Sequence, residues 1–186
     1  MTEICKKVSN ALLCMQRNSW EQAITAFVFM QMDEINLVNL IVHDAIVRQA
    51  DDGRLGMMYG EMSSTDGMAM VEPLLFCLSS ARKPSYKLAL DKVKEWIFNN
   101  APKDQNGIFY HLIDKKEIWV DSMFMAPPAC AALGNVKLGY HQICGFREYL
   151  FDTQAQVYRH IWDNETKQFK DDTFWGVGNG WAACGI

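Results

Sequence analysis

Residues 118–132 read IWVDSMFMAPPACAA, an apolar run of helix-compatible composition that contains one acidic residue, Asp121. Because apolar side chains precede and follow Asp121, the run predicts a buried helix. Its aspartate has two explanations. It caps the start of the helix by accepting backbone N–H groups, or it is a desolvated acid whose protonated form is favoured, as proton transfer requires. Asp121 is therefore the leading catalytic candidate, with capping left open.

Apolar residues recur with helical spacing along most of the chain, and Val/Ile/Thr-rich runs are scarce. This pattern predicts a mainly helical protein, which we expect to be a single helical domain over residues 1–186. Ser19, Asp66 and Pro84 are start signals, and Gly53, Gly56 and Gly134 are breaks. The predicted helices are 2–16, 20–32, 36–50, 67–81, 84–98, 121–133 and 137–157, with another beginning near 178.

Two long connections, 99–120 and 158–173, separate the later helices and are predicted to be loops. Loops of this length within a domain are often binding or active-site loops. They carry His111 and His160, each flanked by aromatic residues. Because neither histidine has a second histidine at a metal-ligand spacing, we predict hydrogen bonding to a polar ligand, with no metal and no cofactor.

The composition argues against several classes of partner. A formal net charge of −4, without a run of more than two basic residues, gives no reason to expect nucleic acid or an anionic membrane. The chain has no apolar run of about 20 residues and no apolar signal core at residues 1–16, so we expect a cytoplasmic protein. Its six cysteines form no CxxC pair and are expected to be reduced thiols.

A second acidic candidate, Asp66, lies in the segment STDGMAMVEP at residues 64–73. It too has a capping explanation, but two carboxylates at the same end of neighbouring helices would suit proton transfer on a sugar. Most of the tryptophans belong in a core, whereas some would stack on sugar rings. The glycines of FWGVGNGW, residues 174–181, are expected to allow close approach of a ligand or a neighbouring helix.

Five sequence blocks together resemble the unsaturated glucuronyl and rhamnogalacturonyl hydrolases of glycoside hydrolase families 88 and 105, within the six-hairpin glycosidase superfamily. The resemblance covers nearly the whole chain, and its most specific parts are WVDSMFMAPP and FWGVGNGW. The blocks are SWEQAITAF (19–27), STDGMAMVEP (64–73), YHLIDKKEIWVDSMFMAPPACAALG (110–134), HIWD (160–163) and FWGVGNGWAA (174–183).

The resemblance implies an all-α, six-hairpin (α/α)6 toroid, of which this chain would form about the N-terminal half. It also implies a glycoside hydrolase that removes 4,5-unsaturated uronic acid from the non-reducing end of pectin- or glycosaminoglycan-derived oligosaccharides, by hydrating the enol-ether double bond. Asp121 would protonate C4 and help to activate the water that attacks C5, with Asp66 as the second catalytic aspartate. The sugar pocket would be lined by His111, His160, Trp175 and Trp20.

Two departures from the family pattern keep alternatives open. Val177 stands where many relatives carry an arginine suited to the substrate carboxylate, and twelve helices need roughly twice this length. A half-toroid would leave apolar helix faces uncovered, which favours self-association. The alternatives are a non-catalytic carbohydrate-binding remnant and another (α/α)-toroid enzyme, such as a sugar epimerase or an inverting glycosidase.

Overall fold

The computed structural model describes residues 2–80 and 83–186 and is mainly helical, as predicted. A 3-10 turn, Asp66–Met70, leads into α4, and a π-helical turn, Trp96–Asn100, extends α5. The end of the predicted helix 67–81 lies outside the described residues. The helices are α1 Glu3–Met15, α2 Ser19–Gln31, α3 Ile35–Val47, α4 Val71–Ser80, α5 Pro84–Glu95, α6 Ser122–Ala132, α7 Val136–Leu150 and α8 Gly176–Gly185.

Short strands occupy parts of both segments that were predicted to be loops and the last part of the predicted helix 137–157. One antiparallel sheet has the order β1-β4-β5, and a separate hairpin pairs β2 with β3. These strands have two to four residues each, too few for an alternating pattern to be visible in the sequence. They are β1 Glu117–Trp119, β2 Phe151–Asp152, β3 Val157–Tyr158, β4 Ile161–Asp163 and β5 Gln168–Asp171.

The helix predicted over 137–157 was wrong beyond Leu150, where α7 ends. The cause is local, because the carboxylate of Asp152 accepts the backbone N–H groups of Gln154 and Ala155, each at 2.9 Å. An aspartate that binds the backbone two and three residues ahead favours a turn over a continuing helix. This turn closes the β2–β3 hairpin.

Other helix boundaries agree only in part with their local signals, since α3 ends at Val47 and Asp66 begins a 3-10 turn that precedes α4. Asn18, not Ser19, caps α2, and it forms a capping box with Glu21. Pro84 does begin α5, as predicted. Gly53 adopts a φ of 105°, in the left-handed region, which accommodates a turn in the segment that follows α3.

The helices alternate between two rows. The elements α2, α4 with its 3-10 turn, α6 and α8 pack side by side, and α1, α3, α5 and α7 flank them. Helix α6 packs against α7, α8 and the 3-10 turn, so residues such as Met123, Met125 and Ala129 are buried on several sides. Burial on several faces explains why the α6 sequence is apolar without a polar stripe.

All six cysteines are free thiols. Burial raises the pKa of Cys77 to about 11 and that of Cys130 to about 12. Within residues 2–80 and 83–186, the model contains no helix that has both the length and the hydropathy needed to cross a membrane.

Candidate active site

The two sequence-predicted aspartates lie on either side of one histidine. His111 Nε2 is 3.9 Å from Asp66 Oδ1, and His111 Nδ1 is 3.7 Å from Asp121 Oδ1. Asp66 begins the 3-10 turn before α4, and Asp121 lies between β1 and α6. The structure therefore brings together three of the predicted site residues from three separate segments of the chain.

Short backbone pairings create this meeting point. Ser63 and Leu112 form an antiparallel bridge, and the N–H of Ser64 donates to the carbonyl of His111 at 2.6 Å. The N–H of Asp66 donates to Ser63 Oγ at 3.0 Å, which sets the start of the 3-10 turn. These bonds hold the Asp66 segment directly against the loop of His111.

The carboxylate of Asp121 does not cap α6. Asp121 occupies the cap position, but its side chain accepts no hydrogen bond from the first turn. Its side chain is 16 % exposed, and Oδ1 is buried with no hydrogen-bond partner among the residues that the structure describes. A buried carboxylate oxygen without a donor is costly, so this atom is available to a proton, a water molecule or a ligand.

The surroundings of Asp66 change its acidity. Burial, reinforced by the charges of Asp121 and Glu61, raises the pKa of Asp66 to about 6, although His111 and the hydrogen bond with Ser63 act in the opposite direction. Its side chain is 12 % exposed. A carboxyl group that titrates near pH 6 can hold or release a proton at neutral pH, which suits acid–base chemistry.

An aromatic wall, defined as Trp119, His160 and Trp175, adjoins the two aspartates. Trp119 stacks on His111 with ring centroids 4.3 Å apart, and its edge meets His160 at 5.7 Å. His160 in turn packs against Trp175 at 4.6 Å. The predicted site residues His111, His160 and Trp175 are thus connected through Trp119.

Trp119 is a residue that the sequence reasoning left in a general inventory of aromatics. Its place two residues before Asp121, within the WVDSMFMAPP block, was the available signal. Its Nε1 donates to Glu117 Oε2 at 2.9 Å, and Lys170 Nζ donates to Glu117 Oε1 at 2.6 Å. The buried Glu117 therefore holds the indole in place.

His160 is fixed by an acidic partner from β5. Its Nδ1 lies 2.8 Å from Asp171 Oδ2. Hydrogen bonds from Thr173 and His160 lower the pKa of Asp171 to about 2, so this partner is charged at neutral pH. The N–H of Val120 donates to the carbonyl of His160 at 3.1 Å, which keeps this histidine beside the Asp121 segment.

Trp20 belongs to a different aromatic group. It packs edge-on against Trp181 at 5.9 Å, and Trp181 contacts Phe124 at 5.0 Å. Trp20 also lines a groove between α1 and α2. The model therefore does not place Trp20 in the aromatic wall, and its role at the sugar pocket stays a prediction.

The glycines of residues 174–181 differ in their surroundings. A Cβ on Gly178 would come within 2.5 Å of both Val120 and Trp175, whereas Gly176 and Gly180 have open space. Gly178 therefore lies close to Val120 and Trp175, neither of which belongs to a neighbouring helix, so the prediction of close approach to a ligand or a helix stays a prediction. Val177, beside it, is 58 % exposed. Within the described part of the chain, no group of three or more His, Cys, Asp or Glu side chains could hold a metal ion.

Comparison with known proteins agrees with the family resemblance seen in the sequence. The family model described as Glycosyl Hydrolase Family 88 matches residues 16–186. Unsaturated rhamnogalacturonyl hydrolase YesR of Bacillus subtilis (strain 168) is 27 % identical over 133 residues, which cover 64 % of this chain and 39 % of that protein.

Two solved structures share the fold. A glycoside hydrolase of family 105 from C. acetobutylicum ATCC 824 superposes with a TM-score of 0.74 at 17 % identity, over 99 % of this chain and 57 % of that one. A possible family 105 member from Klebsiella pneumoniae subsp. pneumoniae MGH 78578 gives 0.66 at 18 % identity, over 88 % and 42 %. The expected half of an (α/α) toroid is confirmed, and the chain spans well under two thirds of these relatives.

Proposed function

Because this chain belongs to glycosyl hydrolase family 88, we propose that it carries the acidic centre of an enzyme that removes 4,5-unsaturated uronic acid from the non-reducing end of oligosaccharides. The observation that carries the proposal is the placement of Asp66 and Asp121 on either side of His111, beside an aromatic wall. The relative named an unsaturated rhamnogalacturonyl hydrolase supports the same substrate class.

The proposed reaction adds water across the C4–C5 double bond. Asp121 in its acid form donates a proton to C4, and the resulting carboxylate takes a proton from the water whose oxygen bonds to C5. The hemiketal formed at C5 then opens and releases the saccharide. Asp121 suits this role because its Oδ1 has no protein partner to displace. Asp66 Oδ1 lies near the other ring nitrogen of His111, Nε2.

The aromatic wall supplies the proposed sugar platform. Pyranose C–H groups pack on aromatic planes, and Trp119 and Trp175 offer such planes beside the acids. His160, oriented by Asp171, is placed to hydrogen-bond a sugar hydroxyl or carboxylate. Trp20 remains proposed as a residue that lines the sugar pocket. The exposed Val177 contributes no charge, so a uronate carboxylate has to be held by other groups.

The test is a spectroscopic assay with lyase-generated unsaturated oligosaccharides, which absorb in the ultraviolet through the conjugated double bond. Wild-type protein should abolish this absorbance, and Asp121→Asn should not. His43→Asn, which alters a histidine in α3 outside the described site, is the matched control and should act like wild type. If wild-type protein leaves the absorbance unchanged, the proposed activity is wrong. If Asp121→Asn is fully active, the role proposed for Asp121 is wrong.

A carbohydrate-binding role without catalysis is the second candidate, favoured by the uncharged Val177. Isothermal titration with the same oligosaccharides separates the two roles. Affinity without any loss of absorbance would favour binding alone. Interconversion of saturated sugars, detected by NMR, would instead indicate an epimerase.

We also propose that copies of the chain associate through the outer face of α1 and α2. A groove of about 330 Å³ between these helices is lined by apolar side chains, and an apolar cavity of about 270 Å³ adjoins it at Ile24. Val8 and Met15 are largely exposed beside the groove. Sedimentation should show a dimer or larger species that Val8→Lys dissociates, whereas a wild-type monomer would contradict this.

The free thiols favour a reducing, cytoplasmic compartment.

A further inference from the structure

Two buried hydroxyl groups meet at one nitrogen of His111. Thr65 Oγ1 and Ser122 Oγ are each 3.0 Å from His111 Nδ1, and 3.0 Å from each other. Thr65 and Ser122 are fully buried. Thr65 directly precedes Asp66, and Ser122 directly follows Asp121. Each hydroxyl therefore comes from the residue adjacent to one of the two aspartates, and both converge on the ring between them.

Counting protons shows which form of the ring this triangle accepts. If Nδ1 carries a lone pair, one hydroxyl donates to Nδ1 and the other donates to the first hydroxyl, so both protons have acceptors. If Nδ1 carries hydrogen, it donates to one hydroxyl, and the last hydroxyl proton has no acceptor among the described residues. The doubly protonated ring has the same defect. A buried donor without an acceptor is costly, so the lone-pair form is preferred.

We propose that Thr65 and Ser122 are positioning residues that fix His111 as its Nε2–H tautomer. The N–H of His111 then faces Asp66 Oδ1, and the ring presents no donor to Asp121 Oδ1. The two aspartates consequently differ, because Asp66 has a donor nearby whereas Asp121 has none. The catalytic use of this difference rests on the proposed function, but the tautomer itself does not.

The proposed tautomer also leaves Asp121 Oδ1 without a donor from the imidazole. Nδ1 is the only ring nitrogen near that oxygen, at 3.7 Å, and the hydroxyl pair keeps it without hydrogen. Asp121 Oδ1 thus remains free for a proton that can be passed to a substrate. A hydrogen on Nδ1 would instead place a donor 3.7 Å from this oxygen.

The test is ¹⁵N NMR of the full chain with labelled histidine, recorded without substrate near neutral pH. The unprotonated ring nitrogen resonates far downfield of the protonated one, and the pattern of couplings to the ring protons identifies which is which. His111→Gln assigns the signals by removing them. We expect Nε2 protonated and Nδ1 unprotonated. A protonated Nδ1 in wild type would overturn the proposal.

Substitutions test which groups select the tautomer. Thr65→Val and Ser122→Ala should each keep the wild-type pattern, because the remaining hydroxyl still donates to Nδ1. The double variant should move hydrogen onto Nδ1, facing Asp121. Ser64→Ala is the matched control, since Ser64 is as buried as its neighbour and its Oγ has no hydrogen-bond partner.

A folded double variant with the wild-type pattern would overturn the selecting role of the hydroxyls. The exchange variant Thr65→Ser with Ser122→Thr retains both hydroxyls and should retain the pattern, and loss of the pattern there would also count against the proposal. The wild-type spectrum decides the tautomer even if the double variant does not fold. All of these measurements are independent of turnover. An inactive chain would therefore contradict the proposed function without contradicting the proposed tautomer of His111.

Discussion

The imidazole of His111 lies nearly flat on the indole of Trp119, with ring centroids 4.3 Å apart and planes inclined by 14°. The strand β1 carries Trp119 and leads directly into Asp121 and α6. One short segment therefore supplies the aromatic platform, one of the acids and a hydroxyl that contacts the histidine. Its geometry depends on interactions that can be tested individually.

The hydrogen bond from Trp119 to buried Glu117 should stabilise the fold. Trp119→Phe keeps an aromatic ring but removes the N–H donor at 2.9 Å, so we expect the free energy of unfolding to fall by about 1–2 kcal/mol. Trp162→Phe in β4 is the control, because its indole N–H is 3.5 Å from its acceptor. Urea denaturation measures both. Equal losses of unfolding free energy in the two variants would show that the hydrogen bond with Glu117 does not stabilise the fold more than the longer contact of Trp162.

The raised pKa of Asp66 makes stability depend on pH. A carboxyl group whose folded pKa is raised from 3.8 to about 6 binds more protons in the folded state, so its stabilising contribution is complete below pH 3.8 and is lost as the pH rises through about 6. The free energy of unfolding of Asp66→Asn relative to wild type should therefore increase as the pH rises from 4 to 7, by on the order of 3 kcal/mol.

Denaturation of both proteins across this pH range measures the difference. Asp114→Asn, in an exposed part of the loop before β1, controls for the removal of one negative charge. A constant difference between wild type and Asp66→Asn over the whole range would contradict the raised pKa of Asp66.

Buried Arg54 should be a major support of the Asp66 segment. Its Nη1 donates to the carbonyls of Glu61 and Ser63 at 3.2 and 2.7 Å, and its Nε pairs with Asp52 at 2.9 Å. Arg54→Met leaves these oxygens without their donor and should cost about 3 kcal/mol in thermal or urea unfolding.

The exposed pair of Lys87 and Asp91 on α5 provides the comparison for Arg54. Lys87→Met should cost less than about 0.5 kcal/mol, because solvent screens an exposed ion pair. A loss as small as this for Arg54→Met would show that the buried guanidinium is not needed.

Two glycines of α8 should respond in opposite directions to alanine. Gly178→Ala places a Cβ within 2.5 Å of Val120 and Trp175, so we expect a loss of about 1–3 kcal/mol. Gly180 has open space, and Gly180→Ala should stabilise the helix by up to about 1 kcal/mol. Thermal melts compare the two directly. A neutral Gly178→Ala would mean that α8 can move away from Val120 at little cost.

The sequence supported the helices and the two aspartates because each had a local signal. The apolar run that leads into α6 is visible without any structure, and Asp121 is its one acidic residue. Proline at the start of α5 worked in the same way. Asp66 was paired with Asp121 as a second carboxylate at a predicted helix start and then by resemblance, and both lie near the same histidine.

The position of His111 between the aspartates was not predictable, because it depends on contacts across the chain. The bridge of Ser63 with Leu112 joins segments far apart in sequence and involves single residues, which leave no periodic pattern. Trp119 was overlooked because β1 has only three residues. The excess length predicted for α7 arose because the turn at Asp152 outweighed helical spacing.

The central claim, that Asp121 protonates C4 during hydration of the double bond, is tested most directly by running the reaction in D₂O. NMR of the released product should show deuterium at C4, because the added hydron comes from an acid that exchanges with solvent. Asp121→Asn should give no such product. A released sugar that still carries the C4–C5 double bond in the earliest spectra would indicate cleavage at the anomeric carbon and would contradict the account.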